Sequence, residues 1–284
     1  MAVVCPRCKE GSLLSGEPTG SIVADFQGAY FASAPEPQTE GAGASSESAD
    51  NKKSTVLLLT DAFGLPLKNC KIMADELAKR LGCDVWVPDY FNGKPLIPFE
   101  KMSLPSRAGE KVSTWAWVRL FFGVLLPQIP TIISNRPSIV DKRLASFISL
   151  IKEKKGYEKI GAVGYCYGGS TSVRLGGTDL VNSVIIVHPG RFSLDELKAI
   201  KVPAAWICAE EDMYFPDSLR AQSEAEFAGR KDKPNFVEYE FKEYKGTAHG
   251  FASRPNLELP ETKEAFEGAF EQTVEWFKKT VTQT

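Results

Sequence analysis

A cysteine framed by glycines is the feature of this 284-residue sequence best suited to chemistry. Residues 161–169 read Gly-Ala-Val-Gly-Tyr-Cys-Tyr-Gly-Gly, with Gly164, Cys166 and Gly168 in a G-x-C-x-G pattern between a strand-like run and a helical one. That is the spacing of a nucleophile elbow with Cys in place of Ser. The turn is so sharp that a side chain at either glycine would clash. The nucleophile then opens a helix, whose N-terminus favours a thiolate and a nearby oxyanion. A free thiol is only a few per cent ionised at neutral pH, so it needs a base. The chain has two histidines, His188 and His249. In an elbow fold the order is nucleophile, acid, histidine. His249 follows the last strand pattern, and an acid is expected after the strand between. Residues 206–212 supply it: Asp212 is first choice, with Glu211 and Glu210 behind it.

Other candidates carry less. His188, in Val187-His188-Pro189, ends a strand pattern on the same side and is expected to line a pocket or to make a strand-end hydrogen bond. Cys5 and Cys8 form half of a zinc-like pattern, but a structural zinc needs four ligands and no second such pair exists. No metal or cofactor is expected.

These residues need a scaffold. Apolar runs at 55–60, 83–87, 159–163, 182–187 and 203–209, with an alternating run at 236–241, read as strands. Helical spacing covers 68–81, 137–155 and 262–279. Strands alternating with helices imply an α/β fold with a largely parallel sheet, helices on both faces and sites at the carboxyl ends of the strands. Residues 21–32 read as a hairpin around Gln27 and Gly28. Residues 35–53 are small and polar and are expected to form a flexible loop within a single domain spanning 1–284. The stretch 91–136 is too long for a simple connection. It is either an extra helix packed on the sheet or a cap whose aromatics, Trp115 and Trp117 among them, line a pocket.

Composition sets outer limits. Lys plus Arg is 34 and Asp plus Glu is 36, so no global charge draws nucleic acid or an anionic membrane. No apolar run reaches transmembrane length. Residues 1–10 lack the pattern of a secretory signal, and six cysteines are too few for a disulfide scaffold. A reduced, cytoplasmic setting is expected.

Taken together, the motifs resemble the dienelactone hydrolase (carboxymethylenebutenolidase-like) family of the α/β-hydrolase fold. The family's G-Y-C-[FLY]-G-G elbow matches residues 164–169, its A-x-x-D acid loop 209–212, and its H-[GS]-F loop 249–251. The opening Cys5-Pro6-Arg7-Cys8, followed by Gly16-Glu17-Pro18-Thr19-Gly20, is similar to the fungal branch. The resemblance implies an oxyanion hole from the backbone N–H groups of Ala62 and Tyr167. It implies a thiol-poising acid just after the first core strand, where Asp61 stands one methylene shorter than the family's Glu. It also implies an arginine for a substrate carboxylate, near Arg254.

The expected activity is cysteine-dependent opening of a small-molecule lactone or ester through a thiol ester. Two other readings use the same residues: a ligand-binding protein without turnover, and an enzyme that passes the acyl group to an acceptor other than water or cyclises it.

Overall fold

A computed structural model of the chain describes residues 13–35, 53–98, 107–109, 114–115, 118 and 121–282. Eight strands form one sheet: β1 (Ser21–Val23), β2 (Ala29–Ala32), β3 (Ser54–Leu59), β4 (Asp84–Val87), β5 (Lys159–Tyr165), β6 (Ser183–Val187), β7 (Ala204–Glu211) and β8 (Tyr239–Ala248). Their order is β1-β2-β4-β3-β5-β6-β7-β8. The first two strands are the antiparallel hairpin expected at 21–32; from β4 to β8 every pairing is parallel. All six residues of β3 are buried, as a strand covered on both faces requires.

The helices are α1 (Asn69–Leu81), α2 (Ile129–Ser134), α3 (Pro137–Lys155), α4 (Tyr167–Gly176), α5 (Leu194–Lys198), α6 (Asp217–Ala228) and α7 (Pro260–Phe277). One face of the sheet packs Val56 and Leu58 against Met73 and Leu77 of α1 and Phe277 of α7. The other packs Leu57 and Leu59 with Phe147 of α3, Val173 of α4 and Phe227 of α6. The strand period of two thus divides β3 between two cores.

The strand order has a consequence for the site. From β3 the chain crosses to β4 on one side, whereas β5 lies on the other. Connections leaving the carboxyl ends of β3 and β5 therefore diverge, and ligands bind at such a switch point in open α/β sheets. Asp61 and Ala62 follow β3, and Cys166 follows β5.

One strand differs from expectation. The alternation at 236–241 predicts a strand there, but pairing with β7 begins at Tyr239 and continues to Ala248. Phe236 instead closes a turn onto the Lys233 carbonyl, at 3.0 Å. Gly246, with φ 75°, is carried within β8 by a register shift between Ala209 and Glu211. Among the described residues no helix is long and apolar enough to cross a membrane. Cys5, Cys8, Trp117 and nearly all of the polar stretch 35–53 lie outside the described residues.

Candidate active site

Cys166 stands between β5 and α4 with φ 53° and ψ −108°. Such a backbone costs a non-glycine residue about 1–3 kcal/mol and persists only where the surroundings enforce it. Here they do. The Cys166 N–H donates to Val187 O at 3.1 Å, and its carbonyl accepts from Gly190 N at 2.8 Å. A Cβ on Gly164 would stand 2.0 Å from the Gly168 carbonyl oxygen, and one on Gly168 would stand 2.2 Å from that of Leu59. Glycine is thus required at both positions.

The acid and the histidine arrive from β7 and β8. His249 Nδ1 lies 2.8 Å from Asp212 Oδ2. The other oxygen of Asp212 accepts the Tyr214 and Phe215 N–H groups, at 2.8 and 3.2 Å. The carboxylate is therefore fixed from both sides. Burial disfavours an imidazolium at His249, but the facing Cys166 thiol and the Asp212 carboxylate outweigh it and raise its pKa to about 10. Nε2 is buried and makes no hydrogen bond among the described residues. The described cysteines divide sharply. Cys70, Cys83 and Cys208 are buried, and burial pushes each thiol up to about 12. Cys166 alone of these four is partly exposed.

The two backbone N–H groups expected to form the oxyanion hole belong to Tyr167, next to Cys166 in the chain, and to Ala62, on the loop after β3. Tyr167 opens α4, where no intrahelical carbonyl serves the first N–H. The Ala62 N–H has no acceptor among the described residues. Gly168 N donates to Thr60 O at 3.1 Å, which holds the start of α4 against the loop that carries Ala62.

A model of the dienelactone hydrolase family matches residues 40–281. The chain belongs to that family. It is a hydrolase acting on ester or lactone bonds, and it shares 32% identity over 275 residues with the hydrolase tropI of Talaromyces stipitatus, covering 96% of this chain and 94% of that protein. With the hydrolase pyvD of Aspergillus violaceofuscus it shares 30% over 274 residues, covering 96% and 95%. Both relatives are fungal. Among solved structures, the dienelactone hydrolase of Anabaena variabilis aligns with a TM-score of 0.57 at 12% identity, covering 94% of this chain and all of that one. That likeness speaks for the α/β-hydrolase fold.

The positions that the dienelactone hydrolase resemblance singled out fall differently. Asp61 was expected beside the thiol. Its Oδ1 accepts the Phe63 N–H at 3.0 Å, its Oδ2 accepts the Ser253 hydroxyl at 3.1 Å, and Arg254 Nε lies 3.5 Å away. It makes no hydrogen bond with Cys166; the shorter side chain joins the loop after β3 to the loop after β8 instead. Arg254 is correspondingly turned inward. Its guanidinium lies over the Phe63 ring, 4.7 Å from the centroid, so the expected substrate ligand is an internal partner of Asp61.

His188 is fully buried, with φ 31°, and does not line an open pocket. It packs between His249 and Phe251, at 5.1 and 5.7 Å between ring centroids. Trp115 faces solvent, 71% exposed. Glu211 and Glu210, the alternative acids, serve neighbouring backbone: Glu211 accepts Gly109 N at 2.8 Å and Glu210 accepts Gly246 N at 2.7 Å. No motif pointed to Ser253, nor to Tyr214, whose ring stands against His249 at 5.2 Å. Only its closeness to Asp212 in the chain pointed that way.

Proposed function

We propose that this hydrolase opens lactones or esters through a thiol ester on Cys166. The observation that carries the reading is the linked series of a strained, partly exposed cysteine, a histidine of raised pKa facing it, and a buried carboxylate 2.8 Å behind that histidine.

The Cys166 thiolate attacks the carbonyl carbon, and the oxygen that becomes negative meets the N–H groups of Ala62 and Tyr167. One such donor is worth about 10²–10³ in rate. As the C–O bond breaks, the His249 imidazolium gives its proton to the departing alkoxide or enolate. In the second half His249 takes a proton from water, the resulting hydroxide attacks the thiol ester, and the C–S bond breaks to restore the thiolate. Asp212 holds the imidazole in one orientation and supports its charge throughout. Enol lactones suit this nucleophile because their leaving group is a stabilised enolate. The substrate is a small molecule, and neither nucleic acid nor membrane enters this reading. A reducing, cytoplasmic compartment fits as well, since the thiol must stay reduced.

The test is steady-state hydrolysis of an activated aryl ester and an enol lactone by the wild type and Cys166→Ala. The reading expects turnover in the wild type and none above background in the variant. Equal turnover in both rejects it.

A further inference from the structure

The insertion between β4 and α3 is fastened at its base to Ala62 and Tyr167, the two residues proposed above to supply the oxyanion donors. At its start, Ile97 N donates to Ala62 O at 3.2 Å. At its end, the Tyr167 phenol donates to Asn135 O at 2.9 Å. The Asn135 side chain closes the ring. Its Nδ2 donates to Lys94 O at 2.9 Å, and its Oδ1 accepts from Arg143 at 2.7 Å. The same Arg143 nitrogen donates to Tyr90 O at 3.0 Å. The Tyr90 hydroxyl in turn donates to Thr60 O at 2.5 Å, the carbonyl that also accepts Gly168 N. Asn135 is 2% exposed, so these bonds are made away from competing water.

We infer that Asn135 is a positioning residue that sets the spacing of the oxyanion hole. Resting on the thiol-ester reading above, it locks the two ends of the insertion to each other, and through them locks Ala62 and Tyr167. The residue type suits the task. One planar amide offers a donor to Lys94 O and an acceptor to Arg143 together; Asp keeps the acceptor but sets a carboxylate against a carbonyl, and Ala offers neither. A shift of about 1 Å in such a donor can cost about a hundredfold in rate. Binding of the substrate's remaining atoms does not depend on it, so the loss falls on kcat.

The test uses the full chain with 4-nitrophenyl acetate. Asn135→Ala, Asn135→Asp, Tyr167→Phe and Cys166→Ala are compared with the wild type. Iodoacetamide alkylation of Cys166, read by mass spectrometry, reports the thiol independently of the oxyanion donors. The expected result for Asn135→Ala is a fall in kcat of about tenfold or more, a KM within about threefold and an alkylation rate within about twofold. Asn135→Asp falls likewise. Tyr167→Phe, which keeps the ring and removes one hydrogen bond, falls in the same direction, and combining it with Asn135→Ala adds little. Should Asn135→Ala fail to fold, Tyr167→Phe carries the same expectation. A wild-type kcat in Asn135→Ala, or equal losses of kcat and alkylation, overturns the assignment; the latter is general loosening. Cys166→Ala separates the two ideas. If it is inert while Asn135→Ala is fully active, the positioning role alone falls; if it still turns over, the thiol reading falls.

Discussion

The imidazoles of His188 and His249 meet edge to face, 5.1 Å between centroids, yet their protonation is pushed in opposite directions. Burial lowers the His188 pKa well below 6.5, and the neighbouring charge on His249 lowers it further. Burial also opposes a charge on His249, but Cys166 and Asp212 raise its pKa to about 10. One ring is held neutral as a wall for the other, which carries the charge.

His188 should therefore be replaceable by a ring without nitrogens. Both its nitrogens lack partners among the described residues, so His188→Phe removes two unsatisfied polar atoms and keeps the wall. Activity is expected within about threefold of wild type and the melting temperature unchanged or higher. A rise in KM of tenfold or more, measured by steady-state kinetics, contradicts the buried-wall role and restores substrate contact.

Asp212→Asn should keep the fold and lose the chemistry. The amide can still accept from Tyr214 and Phe215 but cannot support an imidazolium. The expected loss is about 10³–10⁴ in kcat, by analogy with a neutralised triad acid. Comparable losses in Glu211→Gln or Glu210→Gln, with Asp212→Asn active, would move the acid along the loop.

Stability should fall as the solution becomes alkaline. His249 has a folded pKa of about 10 against an ordinary 6.5, so its contribution is full below 6.5 and is lost as pH rises through about 10. Melting curves between these limits should decline by a few degrees in the wild type. The decline should be smaller in Cys166→Ala, which lacks the facing thiol. Parallel declines in both proteins contradict the pairing.

The three positions proposed to carry the chemistry were readable because each sits on a short, local motif: glycines around Cys166, a strand end before Asp212, a glycine after His249. The parallel sheet was readable for the same reason, from runs of apolar residues. What escaped is non-local. Asn135 gains its meaning from Lys94, Arg143 and Tyr167, which the chain brings together only in three dimensions. Arg254 reads as a free loop cation until the loop after β3 places Asp61 and Phe63 beside it. The start of β8 was misplaced because alternation at 236–241 cannot reveal which residues find a partner on β7.

Asp61→Ala should destabilise the protein by about 3 kcal/mol, the scale for removing one side of a buried charged pair. It strips the acceptor from the Phe63 N–H, the Ser253 hydroxyl and Arg254 together. Denaturant midpoints measure the loss, and kcat should fall with it because Ala62 lies on the loosened loop. An unchanged midpoint contradicts the bridging role.

The central claim is tested most directly by intact-protein mass spectrometry after rapid mixing with an activated aryl ester or an enol lactone, with Cys166→Ala alongside. The account predicts a transient acyl mass on the wild type alone, with burst kinetics for the released nitrophenolate or enolate. An adduct on both proteins, or turnover with no adduct on either, contradicts a thiol ester at Cys166.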